Sequence, residues 1–207
     1  YWIIMQDCAL EIPKDDGFRT SEDQDDFVTW HPYVSSTSQT VYYLHGALHI
    51  FEHAYELEKY TWKHKNVRLI EQIRAALSNE QYPLFVSEGS WQDKLTRVNH
   101  SHYLSKGMRS IAEIGGSLFC FGVSFSDNDR HISSAVSSSN VKKLYISVFG
   151  DPESPANQHI YQAGSSIAAQ RSAKKPLDVK YFSAESAKVW DRFLDPDTGA
   201  DIYVPQE

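Results

Sequence analysis

The pair His45-Gly46 is the part of this sequence best suited to acid–base chemistry. It ends the run VYYLH, whose β-branched and aromatic residues predict a strand at 41–45. An imidazole with a pKa of about 6.5 can accept a proton near neutral pH, so His45 at the rim of a sheet could act as a general base. Gly46 would place no side chain in the way of a sugar or a base. The alternative is a strand-end histidine bonded to a neighbouring carbonyl.

Three histidines follow one another at intervals of four residues, namely His45, His49 and His53. On a helix, such neighbours lie about 6 Å apart and could share one metal ion. On a strand, four residues span about 13 Å, which is too far for a shared ion. The composition of VYYLHGALHIF favours strands, so no metal is expected, and His49 and His53 are interpreted as surface or packing residues.

A second group of candidates lies in GVSFSDNDRHI, residues 122–132. Gly122 would let a ligand approach the backbone, and Ser124 could donate a hydrogen bond to a phosphate. Asp129 could cap a helix that begins there, or it could bind a sugar hydroxyl. Both interpretations of Asp129 stay open at this point.

Strands and helices alternate along the rest of the sequence, which predicts an α/β domain with a doubly wound, mostly parallel sheet. The run SLFCFG is continuous and apolar, as is typical of parallel strands covered on both faces. The predicted strands are 41–45, 47–52, 83–89, 117–122, 143–150 and 178–183. The predicted helices are 66–78, 90–105, 108–114, 129–138, 157–172 and 184–193.

In an open parallel sheet, ligands bind outside the carboxyl ends of the strands. Glycines and small hydroxyl residues follow the predicted strands, and they give the candidate ligand-binding set Gly46, Ser87, Gly122, Ser124 and Asp129. Glycines after strands also serve ordinary turn geometry, so this pattern alone is weak evidence for a nucleotide site.

Composition restricts the class of protein. The chain has 207 residues, 41% of them hydrophobic, which suits one folded domain over 1–207 and excludes a disordered protein. A net charge of −7 makes nucleic acid an unfavoured partner, and no apolar run is long enough to span a membrane. With two cysteines and no visible signal peptide, a bacterial-type cytoplasm is the default location. The acidic segment 11–40 is interpreted as a solvated insertion loop.

The runs YYLHG, PLFVSEGSWQDK, LFCFGVSFSDNDRHI and LYISVFG together resemble the sirtuin-like NAD-binding fold. The chain looks like a bacterial branch of unknown function, related to NAD hydrolases of anti-phage defence. The resemblance implies a Rossmann-like domain with NAD as ligand or substrate and His45 as the catalytic histidine. It also implies that Gly46, Gly122, Ser124 and Asp129 line the dinucleotide site.

The sequence departs from that fold in two ways. The Gly-rich phosphate loop after the first strand and the Asn-containing turn have no match, and both would fall before Tyr1. We therefore expect a chain truncated at its N-terminus. The paired zinc cysteines of protein-deacetylating sirtuins are also missing, which disfavours deacetylation.

Two functions remain open. The first is an enzyme that hydrolyses NAD and releases nicotinamide when the upstream residues are present. The second is a non-catalytic module that binds a nucleotide or a partner protein. A homo-oligomer is one alternative for the assembly.

Overall fold

A computed structural model describes residues 15–20, 27–31, 39–53, 56–61 and 67–187. The chain divides into two compact units, residues 1–109 and 110–207, and each is described by itself. The prediction of one domain stays a prediction.

The first unit contains a five-stranded antiparallel sheet, two complete helices and the greater part of a third. The strands are β1 (Phe18–Arg19), β2 (Phe27–Trp30), β3 (Gly46–His53), β4 (Glu56–Tyr60) and β5 (Pro83–Phe85), in the spatial order β1-β2-β4-β3-β5. The helices are α1 (Leu69–Ser78), α2 (Trp91–His100) and α3 (His102–Glu113), and the chain passes into the second unit within α3.

An apolar cluster packs within the described part of the first unit. Ile50, Val98 and Leu104 are completely buried in it, and the ring of Tyr103 packs edge-on against Trp30 at a centroid distance of 5.3 Å. The Tyr103 hydroxyl accepts a hydrogen bond from the Tyr43 backbone N–H at 3.1 Å, so this buried polar group has a partner.

The predicted mostly parallel sheet is wrong for this unit, because every strand pair in it is antiparallel. Only residues 54 and 55 separate β3 from β4, and a parallel connection needs a dozen residues or more. The predicted strand at 41–45 is also wrong. Residues 41–43 have no regular structure, 44–45 form a turn, and the strand begins at Gly46.

The acidic segment is not simply a solvated loop where it is described. Asp16 is 5% exposed and forms an ion pair with Lys59 of β4. Asp15 accepts hydrogen bonds from the Gly17 N–H and the Arg19 guanidinium. The segment thus contributes two strands, β1 at the edge of the sheet and β2 between β1 and β4, which the sequence pattern did not predict. Its acidic residues at 22–26 lie outside the described residues.

Val67, Ile70, Ile73 and Leu77 recur at helical spacing, which predicts that they face the core, but α1 presents a different face. Ile73 is buried, but Val67, Ile70 and Leu77 are 38%, 49% and 43% exposed. The Gln72 side chain donates to the carbonyls of Thr61 and Val67, and these two bonds turn that face inward. Asn66, the first residue of the predicted helix, lies outside the described residues.

The predicted helix at 90–105 is two helices, because the backbone of Ser101 is extended between α2 and α3. Ser90 begins α2 with a capping box, in which its hydroxyl accepts from the Asp93 N–H and Asp93 accepts from the Ser90 N–H. Val98 of α2 and Tyr103 of α3 are buried.

The second unit is built on a three-stranded parallel sheet. Its strands are β6 (Gly115–Cys120), β7 (Asn140–Val148) and β8 (Asp178–Ser183), in that spatial order, joined by α4 (Arg130–Ser138) and α5 (Pro155–Ala169). Short 3₁₀ turns lie at Asp127–Asp129 and Glu185–Ala187. The predicted bounds of β8 match the observed ones. Of the helix predicted at 184–193, the described part is only the second 3₁₀ turn.

Packing of α5 on the sheet forms the core of this unit. Leu144, Ile146 and Ile167 are at most 1% exposed. A Cβ added at Gly164 would lie 2.3 Å from the Tyr181 hydroxyl, so α5 approaches β8 only because residue 164 has no side chain. The molecule is therefore mixed α/β, as predicted, with one parallel and one antiparallel sheet.

Candidate functional site

The predicted site residues fall into two groups, one in each unit. His45, Gly46 and Ser87 belong to the first unit, and Gly122, Ser124 and Asp129 belong to the second.

His45 lies in a turn immediately before β3, rather than at the carboxyl end of a strand as predicted. Its carbonyl accepts the Val86 N–H at 2.8 Å, while the N–H of the next residue donates to the Tyr43 carbonyl at 2.9 Å. Its side chain is half-buried. Gly46 has a φ of +75°, a conformation that glycine adopts readily, and this allows the backbone to turn before β3.

Gly46 is a glycine for a packing reason that the sequence did not reveal. A Cβ at this position would lie 1.9 Å from the Leu84 carbonyl oxygen, which is closer than any real contact. The space that a side chain would occupy is therefore filled by the backbone of β5. A role of Gly46 beside a ligand stays a prediction.

Ser87 is exposed in the short connection from β5 to α2. The neighbouring Asp93 carboxylate accepts hydrogen bonds from the side chain and the backbone of Ser90, and these bonds lower its pKa. The structure thus assigns a helix-capping role to Ser90 and Asp93 and none to Ser87.

In the second unit, the carboxyl ends of three parallel strands meet at one edge of the sheet. Gly122 follows β6 and Gly150 follows β7, with φ values of +69° and +67°. Among the described residues, apart from the two chain neighbours of each glycine, no atom lies within 4 Å of a Cβ built on either one. Because positive φ accounts for the residue type and nothing packs there, the backbone at both turns is accessible to a ligand.

Hydrogen bonds fix both of these turns. The Gly122 N–H donates to Ser147 Oγ at 2.9 Å, and the Gly150 N–H donates to Glu185 Oε1 at 2.9 Å. The buried Asn157 side chain donates to the carbonyls of Phe149 and Asp151. The edge is therefore held in place before any ligand arrives.

Ser124 is exposed on the connection between β6 and α4. The next residue, Phe125, is 4% exposed with a φ of +50°, an uncommon conformation for a bulky side chain. Burial of this ring in the unit stabilises the backbone conformation that leaves Ser124 at the surface.

Asp129 stands at the N-cap position of α4, but its side chain makes no capping hydrogen bond. Its Oδ2 is 3.3 Å from Ser126 Oγ, which donates to it. A carboxylate oxygen of Asp129 also lies within 4.8 Å of a ring nitrogen of His131, which is 4% exposed. Of the two interpretations that the sequence left open, the helix cap is not observed.

Glu185 is not among the site residues that the sequence predicted. Glu185 accepts from Ser183 Oγ at 2.6 Å and from the Gly150 N–H, and these hydrogen bonds lower its pKa. A carboxylate thus stands at the carboxyl end of β8. Its signal in the sequence is the Ser-x-Glu spacing after an apolar strand.

A separate pocket of about 520 Å³ opens between α4 and α5. Its lining includes Arg130, Ser133, His159, Gln162 and Gln170. None of the predicted site residues of this unit lines it. Its polar groups come from exposed helix faces, which carry no distinctive sequence pattern.

Comparison with protein families identifies the family of this chain. Residues 1–190 match a domain of unknown function, DUF4917. The chain belongs to the DUF4917 family. No curated protein and no solved structure matches it. Membership of DUF4917 confirms the prediction of a family without an assigned function.

Within the described residues of this DUF4917 chain, no helix has both the length and the apolar character needed to cross a membrane.

Proposed function

We propose that this DUF4917 protein binds NAD through the carboxyl edge of its parallel sheet and that the intact protein hydrolyses NAD to nicotinamide and ADP-ribose. The observation that supports binding is the pair of open glycine turns at Gly122 and Gly150, followed by the exposed Ser124 hydroxyl. This arrangement suits a dinucleotide in a Rossmann-like fold of sirtuin type, where phosphates and riboses lie close to the backbone.

The second unit offers distinct groups to such a ligand. The backbone turn at Gly122 allows close approach, and the Ser124 hydroxyl can donate to a phosphate oxygen. Asp129 makes no capping bond, and its carboxylate can accept from a ribose hydroxyl. Gly46 and Ser87 stay in the proposal as ligand-contacting residues on sequence grounds alone.

Hydrolysis needs a base in addition to a binding edge. His45 is assigned this role because YYLHG resembles the catalytic segment of sirtuin-like hydrolases. The neutral imidazole would accept a proton from a hydroxyl of the nicotinamide ribose as the bond to nicotinamide breaks. Water then adds to the resulting oxocarbenium-like carbon, the proton on His45 returns to the ribose hydroxyl, and the proton that the water loses is released to the solvent. Loss of host NAD in anti-phage defence is the biological role that the resemblance implies.

Release of nicotinamide tests the enzymatic proposal. The full-length protein is incubated with NAD and the products are separated by chromatography. We expect nicotinamide and ADP-ribose from the wild type and a loss of at least about 100-fold in rate for His45→Ala, since a positioned base contributes about 10²–10⁴-fold. His53→Ala removes an exposed histidine from β3 and serves as the matched control. Absence of release, or equal rates in the wild type and His45→Ala, would overturn it.

A non-catalytic binding module is the second candidate, and the pocket between α4 and α5 favours it because hydroxyl, amide and imidazole groups converge there. Calorimetry with NAD and ADP-ribose separates the two. Binding that Ser124→Ala weakens and Ser138→Ala leaves unchanged, without turnover, indicates a sensor at the strand edge. Binding that only Gln162→Ala weakens places the ligand in the other pocket.

A further inference from the structure

Two lysine pairs stand close to the starts of neighbouring parallel strands. Lys142 and Lys143 lie near the start of β7. Lys174 and Lys175 lie in the connection that precedes β8. Parallel neighbours begin at the same edge of a sheet, and the register pairs Lys143 with Asp178. The amino edge of the sheet, at the end opposite to the proposed NAD site, is therefore basic.

A pocket of about 500 Å³ lies at this edge. Val141, Pro176 and Leu177 form an apolar part of its lining, and Leu177 is 8% exposed. Lys142, Arg171, Lys174 and Lys175 supply four cations to the same lining. Apolar walls exclude water and strengthen the field of the charges around them.

The pocket lining has an excess of positive charge, whereas the whole chain has a negative net charge. The protein contains 20 lysines and arginines against 27 aspartates and glutamates, whereas this lining has four cations and one carboxylate. That carboxylate, Asp178, is paired with Lys180 Nζ at 3.6 Å. The local excess of positive charge is consequently not balanced within the pocket.

The Arg171 side chain is bonded to backbone groups in the wall of the pocket. Its guanidinium donates to the carbonyls of Val136, Ser139 and Val141, which joins the end of α4 to the start of β7. Burial lowers the pKa of this guanidinium. Arg171 is a positioning residue that holds the lining in shape.

The lysines differ in how they are engaged. Lys175 Nζ donates to Asn140 Oδ1 at 3.1 Å. In the part of the chain that the structure describes, Lys142 and Lys174 make neither a hydrogen bond nor an ion pair. Both are exposed, so two ammonium groups at the mouth of the pocket are available to an anion.

We propose that this pocket binds a small phosphorylated molecule that carries two or more phosphate groups, with an apolar portion against Val141 and Leu177. The lysines contact the phosphates as point charges, and Lys175 exchanges its bond to Asn140 for one to the ligand. The site is separate from the carboxyl edge of the sheet and does not depend on NAD binding there.

Calorimetry of the full-length protein with inorganic pyrophosphate and tripolyphosphate tests the proposal. We expect saturable binding with one site per chain, tighter for tripolyphosphate, and weaker by about tenfold in each of Lys142→Gln and Lys174→Gln, since one hydrogen bond to a charged group is worth about that factor. Lys143→Gln removes the same charge from the neighbouring position of β7 but does not line the pocket, so it is the matched control. No binding at millimolar anion, or equal weakening by the control, would overturn the proposal.

The loss in Lys142→Gln and Lys174→Gln is measured with inorganic anions, so failure of the NAD proposal does not change its expected value. A further measurement distinguishes a nucleic acid ligand. If a single-stranded oligonucleotide binds with the same lysine dependence and displaces tripolyphosphate at a far lower concentration, the ligand is a nucleic acid backbone and the small-molecule proposal is wrong.

Discussion

Gly46 and Gly122 have nearly the same backbone conformation, with φ of +75° and +69°, but opposite surroundings. At Gly46 the backbone of a neighbouring strand occupies the place of a side chain, whereas at Gly122 that place is open. The positive-φ glycine of the first unit is thus required by packing, whereas that of the second unit is exposed at the edge of its sheet. A glycine in a candidate motif therefore says little about function until its neighbours are known.

The same contrast holds for charge. Asp16 and Lys59 form an ion pair whose side chains are 7% and 13% exposed, in the sheet of the first unit. Asp127 and Arg130 form a pair in the second unit that is 87% and 58% exposed. Buried pairs cost much when one partner is removed, and exposed pairs cost little.

The largest effect is expected from the two glycines. Gly46→Ala should lower the free energy of unfolding by about 3 kcal/mol or more, since overpacking against Leu84 adds to the penalty of a positive φ. Gly122→Ala should lose only about 1 kcal/mol, the penalty of φ alone. Denaturation in urea, followed by circular dichroism, measures both. Equal losses would show that packing does not distinguish the two turns.

The ion pairs come next. Asp16→Asn should cost about 3 kcal/mol, because it leaves the Lys59 ammonium buried without its counter-charge. Asp127→Asn is the control and should cost less than about 0.5 kcal/mol.

A double variant sharpens the test of the ion pair. Asp16→Asn combined with Lys59→Met should recover part of the loss, since no uncompensated charge then remains. If the double variant is no more stable than Asp16→Asn, the hydrogen bond from Asp16 to the Phe18 N–H is the important contact instead.

The smallest effect concerns His49, whose pKa is lowered to about 4 by burial and by the nearby charge of Lys59. Between pH 4 and about 6.5 the unfolded chain binds a proton that the native state excludes. The contribution of the neutral His49 imidazole to the free energy of unfolding is therefore complete above pH 6.5. It is lost as the pH falls towards 4, by about 1 to 2 kcal/mol after allowance for partial exposure.

Unfolding of the wild type and His49→Gln across this range measures the difference. The variant should show a shallower fall of stability with acid, and the ring protons of His49 should titrate near pH 4 by NMR. A pKa above 6 in the folded protein would contradict the burial of this imidazole.

The sequence predicted the second unit better than the first. Two of its strands come from apolar runs followed by a glycine, Gly122 after β6 and Gly150 after β7, and such runs predict parallel strands. The expected cover on both faces is wrong for β6, in which no residue is buried and Phe119 is 65% exposed. The Gly122-Val123-Ser124 turn and the sugar-binding candidate Asp129 follow from that pattern. Whether these residues bind NAD stays a prediction.

The first unit was harder because its signals are not local. The strand ELEKY carries three charged residues, and Glu58 is nonetheless 7% exposed, with burial raising its pKa. Asp16 finds its partner 43 residues away. Propensity and periodicity describe neighbours along the chain, so they could not reveal β4 or the inward face of α1.

The sequence by itself determined a mixed α/β protein, the positions of the parallel strands and the small residues that follow them. These depend on short apolar runs and on turns, whose preferences are local. Only the tertiary structure decided that the first sheet is antiparallel, that Gly46 is required by a neighbouring carbonyl, and that a lysine of β7 and two lysines before β8 line one pocket. Each of these depends on which distant segments come together, and that is fixed by burial and pairing across the fold.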